Sequence, residues 1–310
     1  MPPPLAPAAP SESLCAMSSS FAFSYEEMTA RNAGLLSVTD QALLRESRVL
    51  VCGAGGAGGA ALQALVRAGV GALTIADPAL FDRASLNRQL FATADTVGKL
   101  KASATADALL RINPSLTLET LGAEWVERLD ELLPVHSLVI CAMDDVAAGI
   151  ALYRKAREHG ATVIGAYDAP SPSVTVTRPA DPRPEERLGY PTTGANWRII
   201  TDDELVACRT ADALYAMVHS SAQDNLDESL RAELLAGTRP RPSLAPFAML
   251  TGALMALEAI KLLTHRDAVD CRGVFLNPWT LKVERPKPAP LAWALGRVAR
   301  RRLRQLVNRQ

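Results

Sequence analysis

The sequence predicts an α/β protein whose first half forms a doubly wound, mostly parallel sheet. The apolar run Val49–Cys52 is typical of a parallel strand that is covered on both faces. The glycine-rich segment 53–59 follows it and opens a helical stretch to about Ala68, after which Ala72–Ala76 is a second apolar run. This order of strand, turn, helix and strand forms one βαβ unit. Repeated units of this kind build an open parallel sheet with helices on both faces.

The alternation of helices and strands continues to about residue 166. Further elements are predicted as helices at about 100–112, 126–133 and 147–159, and as strands at about 115–121, 137–142 and 161–166. This pattern predicts a Rossmann-like domain over residues 21–168. The Pro-, Ala- and Ser-rich segment 1–20 before it is expected to be a disordered leader.

The second half has a different character. Residues 169–197 are rich in proline and glycine with little periodicity, so we expect an irregular crossing segment or lid. A polar helix is predicted at about 202–235, and the apolar stretch 244–263 predicts a helix buried at an interface or against the sheet. With a final strand pair or bent strand at 275–283, residues 169–285 are expected to complete the substrate site and a dimer interface.

Composition argues against several classes of protein. The 33 Lys and Arg residues balance 33 Asp and Glu residues, so no overall charge would recruit nucleic acid. Five scattered cysteines without a C-x-x-C pair argue against a disulfide framework and structural zinc, and they favour a cytoplasmic setting. No apolar stretch is expected to be long enough to span a bilayer. Residues 286–310 predict a linker and a basic amphipathic helix, for which a folded-back or solvated tail is favoured over membrane contact.

The glycine turn is a candidate nucleotide site. Gly53, Gly55 and Gly58 form a G-x-G-x-x-G pattern between a strand and a helix, where backbone approaches phosphate at a helix N-terminus, and Gly56 lies in the same turn. Asp77 ends the second strand, where a carboxylate can accept hydrogen bonds from ribose hydroxyls. Alternatively, the glycines serve only close helix packing and Asp77 caps a loop. The functional interpretation indicates an adenine nucleotide without separating ATP from NAD.

A group of cations favours ATP. Asn87-Arg88-Gln89 follows the second strand, and Lys101 lies at the start of the next predicted helix. A dinucleotide dehydrogenase does not need these cations, because the glycine turn and helix dipole already hold its pyrophosphate. Cleavage between the α and β phosphates of ATP develops charge on pyrophosphate that Arg and Lys stabilise. We therefore assign Arg88 and Lys101 to catalysis, and Asn87 and Gln89 to cofactor binding.

Two carboxylates, Asp144 and Asp145, follow the strongest predicted strand. Ligands bind at the carboxyl ends of the strands in an open parallel sheet, and a carboxylate there suits a Mg²⁺ ion that bridges phosphate oxygens. A carboxylate at this position can instead cap the following helix. We assign the metal to Asp144 and the cap to Asp145.

Residues 22–168 resemble the adenylating domain shared by ThiF, MoeB, the ubiquitin-activating enzymes and the bacterial dehydratase that cyclises a threonylcarbamoyl-adenosine tRNA base. The apolar segment 254–262 resembles a late helix of this family and extends the resemblance to about residue 283. The matching features are Tyr25, Arg31-Asn32-x-Gly34-Leu35-Leu36, the glycine turn, Asp77, Asn87-Arg88-Gln89, Lys101, Arg111-Ile112-Asn113-Pro114 and Asp144.

The resemblance implies a role for each matching side chain. Asp77 would hold ribose, Arg88 and Lys101 the phosphates, and Asp144 the Mg²⁺. Arg31 would reach across a homodimer interface to the ATP of the partner subunit. The chain lacks the two zinc-binding C-x-x-C pairs of many sulfur-carrier members. It therefore fits a zinc-free bacterial branch, for which ATP and Mg²⁺ are the expected cofactors.

These observations predict an ATP-dependent adenylyltransferase that converts a carboxylate into an acyl-adenylate and releases pyrophosphate. The carboxylate is the C-terminus of a small carrier protein or peptide, or a small molecule. Two alternatives are an NAD-dependent oxidoreductase, which leaves Arg88 and Lys101 without a task, and a non-catalytic nucleotide-binding scaffold. Cys208 is either a nucleophile that takes the acyl group or, as we favour, a half-buried helix cysteine.

Overall fold

The structure is a computed structural model, and it describes residues 22–167, 171–221 and 242–297. The predicted leader at 1–20 lies outside the described residues. So do the later part of the helix predicted at 202–235 and the end of the predicted basic helix.

Within the described residues, eight strands form one sheet in the order β3-β2-β1-β4-β5-β6-β7-β8. Strands β1 to β5 pair in parallel, and β6, β7 and β8 are added antiparallel. The strands are β1 (Arg48–Cys52), β2 (Ala72–Ala76), β3 (Thr117–Leu121), β4 (Leu138–Cys141), β5 (Thr162–Gly165), β6 (Ser173–Thr177), β7 (Val274–Asn277) and β8 (Lys282–Glu284). The predicted fold class, with its doubly wound and mostly parallel sheet, is confirmed.

Helices cover both faces of this sheet. The α-helices in the described part of the chain are α1 (Tyr25–Thr29), α2 (Val38–Glu46), α3 (Gly56–Ala68), α4 (Lys101–Leu110), α5 (Leu129–Leu132), α6 (Val146–Glu158), α7 (Pro184–Leu188), α8 (Asp202–His219), α9 (Ala245–Leu263) and α10 (289–297). Successive residues of β1 show the two-sided burial directly. Val49 and Val51 pack with α3 and α9, whereas Leu50 packs on the opposite face with α5 and α6. The continuous apolar run of β1 follows from burial on both sides.

The strand order fixes the position of the site. Strand β1 lies between β2 and β4, so the chain leaves β1 in one direction and returns to its other side after β3. Cys52 pairs in register with Cys141, and both strands end at the same edge. Because such a reversal opens a crevice at the carboxyl ends of the strands, the residues that follow β1 and β4 meet there.

Strand β6 lies in segment 169–197, where we predicted no regular element, and that part of the prediction is wrong. All five residues of Ser173–Thr177 are buried, and β6 pairs antiparallel with β5 and β7. The segment was predicted to be irregular because of its prolines and glycines. Residues 173–177 within it are nevertheless rich in β-branched residues, which favour strands. The short helix α7 also lies in this segment.

Helix α9 is long and apolar enough to cross a membrane by length and composition alone, contrary to our expectation for this sequence. One face of α9 packs like that of a core helix. A side chain at Gly252 would come within 2.2 Å of the Ala57 carbonyl oxygen, so α9 and α3 are in direct backbone contact. Glu258 is 5% exposed and pairs with Lys261 at 2.8 Å. The predicted burial of this helix therefore occurs against α3.

Candidate active site

A cavity of about 540 Å³ opens at the carboxyl edge of the parallel strands. Eight of the eleven predicted site residues line it, although they come from five separate parts of the sequence. These eight are Gly53, Gly55, Gly56, Asp77, Arg88, Gln89, Lys101 and Asp144. The fold therefore brings the glycine turn, two cations and the candidate metal ligand to one space.

The glycine turn requires glycine for steric reasons. Gly53 has φ +99°, and a side chain there would lie 2.4 Å from the Ala142 carbonyl oxygen. A side chain at Gly58 would lie 1.8 Å from the Gly53 carbonyl oxygen, so Gly58 sits beneath the turn and does not line the cavity. Gly55 is the N-cap of α3 and offers no side-chain cap. The first turn of α3 thus keeps backbone N–H groups for an anionic ligand.

Asp77 joins the end of β2 to the glycine turn. One carboxylate oxygen accepts a hydrogen bond from the Ala54 N–H at 2.8 Å, and the other accepts from the Ala79 N–H at 2.9 Å. The residue is 8% exposed and still lines the cavity. Each carboxylate oxygen retains a second acceptor site. Asp77 can therefore hold the turn and accept from a ribose hydroxyl at the same time.

Arg88 is held by its neighbours in a fixed direction. Its Nη1 donates to the Ala84 carbonyl at 2.9 Å and to Asn87 Oδ1 at 2.8 Å. Asn87 Nδ2 donates in turn to the Ser243 carbonyl at 3.0 Å. Asn87 is exposed and does not line the cavity, so in this structure it orients Arg88 and contacts the loop before α9.

Arg88 and Lys101 bring positive charge to the cavity that the described residues do not neutralise. No carboxylate of the described ranges lies within 4 Å of either cation. Both cations act at longer range on Asp82: the hydrogen bonds of Ser85, and then the charges of Lys101 and Arg88, lower the pKa of the Asp82 carboxyl. The two cations thus lie near one another with their charge available to a ligand.

Gln89 adds a polar group that lacks a partner. The residue is 8% exposed, and its buried Oε1 accepts no hydrogen bond. Its Nε2 lies 3.7 Å from the position that a side chain at Gly55 would occupy. Because an unsatisfied buried amide oxygen is costly, a donor on a ligand at the glycine turn would relieve that cost.

The neighbouring carboxylates of Asp144 and Asp145 have different surroundings, and Asp145 is the predicted helix cap. Asp145 Oδ1 accepts from the Ala148 N–H at 3.0 Å and is the N-cap of α6, which confirms its capping role. Asp144 is exposed to the cavity. Among the described residues, no group of three or more His, Cys, Asp or Glu side chains is arranged to hold a metal. Mg²⁺ bound with nucleotide phosphates needs only one or two carboxylates, so Asp144 fits such an ion.

Arg31 and Cys208 lie away from this arrangement. Arg31 is exposed in the 3₁₀ helix Ala30–Asn32 and does not line the cavity. Cys208 is completely buried, its Sγ is 3.7 Å from Thr192 Oγ1, and burial raises its thiol pKa. A buried thiol that resists ionisation is a poor nucleophile, which favours a structural role for Cys208. The predicted half-burial of this residue is wrong, since it is fully buried.

The cavity has an inner end that our sequence analysis missed. Beyond the glycine turn its wall is formed by Tyr153, Tyr167, Arg187, Tyr190 and Asp212. Tyr167 follows β5, Arg187 and Tyr190 lie in the segment that was predicted to be irregular, and Tyr153 and Asp212 lie in α6 and α8. No local motif joins them, and tertiary packing alone brings them together.

The sequence model of the ThiF family matches residues 29–292. The chain belongs to the ThiF family. The molybdopterin-synthase adenylyltransferase of Salmonella typhimurium is 31% identical over 230 residues, which are 73% of this chain and 76% of that enzyme. The predicted family and the predicted class of enzyme, a ThiF-type adenylyltransferase, are confirmed.

Solved structures of E. coli proteins share the fold. MccB, crystallised with ATP, has a TM-score of 0.57 at 16% identity, over 82% of this chain and 68% of MccB. The tRNA N6-threonylcarbamoyladenosine dehydratase TcdA has a TM-score of 0.55 at 20% identity, over 77% of this chain and 95% of TcdA. At these identities the likeness establishes the architecture alone.

Proposed function

We propose that this ThiF-family adenylyltransferase activates a substrate carboxylate with ATP and Mg²⁺. A carboxylate oxygen attacks the α-phosphorus of ATP, the bond from that phosphorus to the bridging oxygen of the β-phosphate breaks, and an acyl-adenylate and pyrophosphate result. An ionised carboxylate needs no general base. The observation that carries the proposal is that Arg88 and Lys101, without ion-pair partners among the described residues, share one cavity with the glycine turn and Asp144.

Each residue at the cavity has a role in the proposed reaction. The first turn of α3 holds phosphate through backbone N–H groups, and Asp77 accepts from the ribose. Arg88 and Lys101 stabilise charge that develops on pyrophosphate. Mg²⁺, when bound, would be held by Asp144 and would neutralise phosphate charge. Asn87 orients Arg88, and the unpaired amide oxygen of Gln89 accepts from the nucleotide.

A homodimer in the cytoplasm completes the proposal. Arg31 is exposed and lies outside the cavity of its own chain, which is compatible with action on the ATP of a partner subunit. The four described cysteines are free thiols, which fits a reducing compartment. The Salmonella relative is named for a protein substrate, molybdopterin synthase. We accordingly propose a protein, peptide or small-molecule carboxylate as the substrate.

Substrate-dependent ATP–pyrophosphate exchange tests the reaction. We expect Asp144→Ala to lower exchange at least ~100-fold in the folded enzyme, because the loss concerns charge stabilisation in the transition state. Asp145→Ala is the matched control: loss of the α6 cap costs about 1 kcal/mol of stability, but exchange persists in the folded enzyme. Normal exchange in Asp144→Ala would remove the metal assignment.

Calorimetry separates the alternatives. Binding of ATP·Mg²⁺ in preference to NADH supports the proposal, and the opposite preference favours an oxidoreductase. ATP binding without exchange for any carboxylate would indicate a non-catalytic scaffold.

A further inference from the structure

Arg187 is a cation at the inner end of the cavity that the proposed adenylation does not use. Its Nη1 donates to Tyr167 Oη at 2.6 Å, and its guanidinium carbon lies 5.3 Å from the Tyr167 ring centre and 5.4 Å from that of Tyr215. Its Nε is buried and has no hydrogen-bond partner. A guanidinium has five N–H donors, and among the described residues Arg187 donates only to Tyr167 Oη.

Arg187 forms no ion pair with a carboxylate of the described residues. No carboxylate in these parts of the chain lies within 4 Å of its guanidinium. Glu185 is close in sequence, but its carboxylate is taken by Arg154 at 2.7 Å and Arg183 at 3.3 Å. Burial raises the pKa of Tyr167, so this phenol stays neutral and is not a counter-ion. A partly buried charge that no described carboxylate pairs with is costly, and a bound anion would offset that cost.

The position of Arg187 separates it from the nucleotide phosphates. Arg88 lies against the glycine turn, which follows β1, whereas Tyr167, which anchors Arg187, follows β5. In the order β1-β4-β5 these strands are two spacings apart, about 10 Å at ~4.8 Å per strand. A triphosphate at the glycine turn therefore leaves a space of about 5–10 Å above the ends of β4 and β5. That space matches a short carbon chain between the reacting carboxylate and the guanidinium.

Asp212 limits what this inner end accepts. It lines the same wall, and Tyr190 Oη donates to its Oδ2 at 2.6 Å. Its negative charge opposes a multiply charged group such as phosphate more strongly than a single carboxylate. The planar guanidinium of Arg187 also matches a carboxylate, which it can bind through two parallel hydrogen bonds.

We propose that Arg187 binds a second carboxylate of the substrate. This inference rests on the proposed adenylation and narrows its substrate to a dicarboxylate. The two sources of that chemistry are a small dicarboxylic acid and a peptide or protein terminus with an acidic side chain. In this role Arg187 is a specificity residue, because it binds a part of the substrate that is remote from the reacting atoms.

Acids and their amide analogues provide the test. We would measure ATP–pyrophosphate exchange with glutarate against its monoamide, succinate against its monoamide, and short peptides ending in Glu against peptides ending in Gln. The wild-type enzyme should favour the acid of at least one pair by about tenfold to a hundredfold in kcat/KM, as expected for a charge-assisted hydrogen bond. The pair that shows the preference identifies the source. Equal exchange for acid and amide in every pair would overturn the inference.

Variants of Arg187 test whether this residue causes the preference for acid over amide. Arg187→Gln should remove the preference for the acid, and Arg187→Lys should retain part of it, with ATP affinity unchanged in both. Arg209→Gln, on the exposed side of α8, is the matched control and should behave as wild type. An equal fall with acid and amide in folded Arg187→Gln would contradict the inference.

Failure of the proposed adenylation can be distinguished from failure of the proposed Arg187 subsite. If ATP binds and no carboxylate supports exchange, the proposed function fails. Calorimetry in the presence of ATP·Mg²⁺ then decides the subsite alone: tighter binding of acid than amide that Arg187→Gln abolishes supports it, and equal binding of acid and amide refutes it.

Discussion

The Asp77 carboxylate accepts a hydrogen bond of 2.8 Å from the backbone N–H of Ala54, and it thereby joins the end of β2 to the turn that follows β1. The contact explains why an acid and a glycine turn in separate parts of the sequence act together. The same side chain supports the turn and faces the space into which a ribose would bind.

Asp77→Asn should weaken both the turn and nucleotide binding. One of the two backbone N–H groups that now meet carboxylate oxygens would meet an amide NH₂, which leaves a buried donor unsatisfied at a cost of about 1–3 kcal/mol. Urea unfolding measures the stability, and calorimetry should show ATP affinity reduced about tenfold or more. Asp107→Asn, on the exposed side of α4, is the control and should change neither quantity. Unchanged stability in Asp77→Asn would disprove the supporting role.

Two glycine-to-alanine changes should have opposite effects on stability. The methyl group of Gly58→Ala would lie 1.8 Å from the Gly53 carbonyl oxygen, so α3 or the turn must move, at a cost of several kcal/mol. Gly149→Ala in α6 meets no atom within 4 Å and should stabilise the protein by about 0.5–1 kcal/mol through helix propensity. Thermal or urea unfolding of both variants checks the comparison, and similar stabilities would contradict it.

Arg88 and Asn87 should differ in the size of their effect on catalysis. Arg88→Ala removes a charge next to the proposed phosphate site and should lower exchange about 100-fold or more. Asn87→Ala removes only the side chain that orients Arg88, so we expect a smaller loss of roughly threefold to tenfold. A loss in Asn87→Ala as large as that in Arg88→Ala would mean that Asn87 contacts the nucleotide directly.

Mixed dimers test whether Arg31 acts across subunits. Arg31→Ala and Asp144→Ala should each be inactive as homodimers. When both chains are expressed together, a mixed dimer contains one site with an intact Asp144 and an intact Arg31 from its partner, so about a quarter of wild-type exchange should return. Separately purified proteins that are mixed without subunit exchange serve as the control. Absence of recovery in verified mixed dimers would exclude action in trans.

His219 should make stability depend on pH. Burial, and then the positive charges of Lys287 and Arg187, lower its pKa to about 4, and its neutral Nδ1 accepts from the Lys287 N–H at 2.9 Å. The unfolded chain, with a histidine pKa near ~6.5, binds this proton more readily. Stability should therefore fall by about 2–3 kcal/mol as pH decreases from ~6.5 to ~4.

His219→Gln should flatten the pH dependence of urea unfolding in that range. An NMR titration of His219 provides the direct measurement, and a midpoint near ~6.5 would contradict the predicted shift.

Much of the fold and most of the candidate site were predictable because their causes are local. The run Val49–Cys52 is apolar throughout because β1 is buried on both faces. The turn needs glycine at Gly53, where φ is positive and the Ala142 carbonyl lies too close for a side chain. A parallel sheet then brings the residues that follow its strands to one edge. These rules suffice to predict that Asp77 and Asp144 lie at the same crevice.

The tertiary structure alone decided the features that depend on distant contacts. Asn87 turns toward Ser243, 156 residues away, and so orients Arg88 instead of lining the cavity. Strand β6 forms because β5 and β7 offer it partners, despite the prolines and glycines around it. Arg187 of α7 lines the cavity, where it donates a hydrogen bond to Tyr167 after β5, 20 residues earlier in the sequence. Side-chain direction and burial arise from the packing of remote segments, and no local sequence pattern encodes that packing.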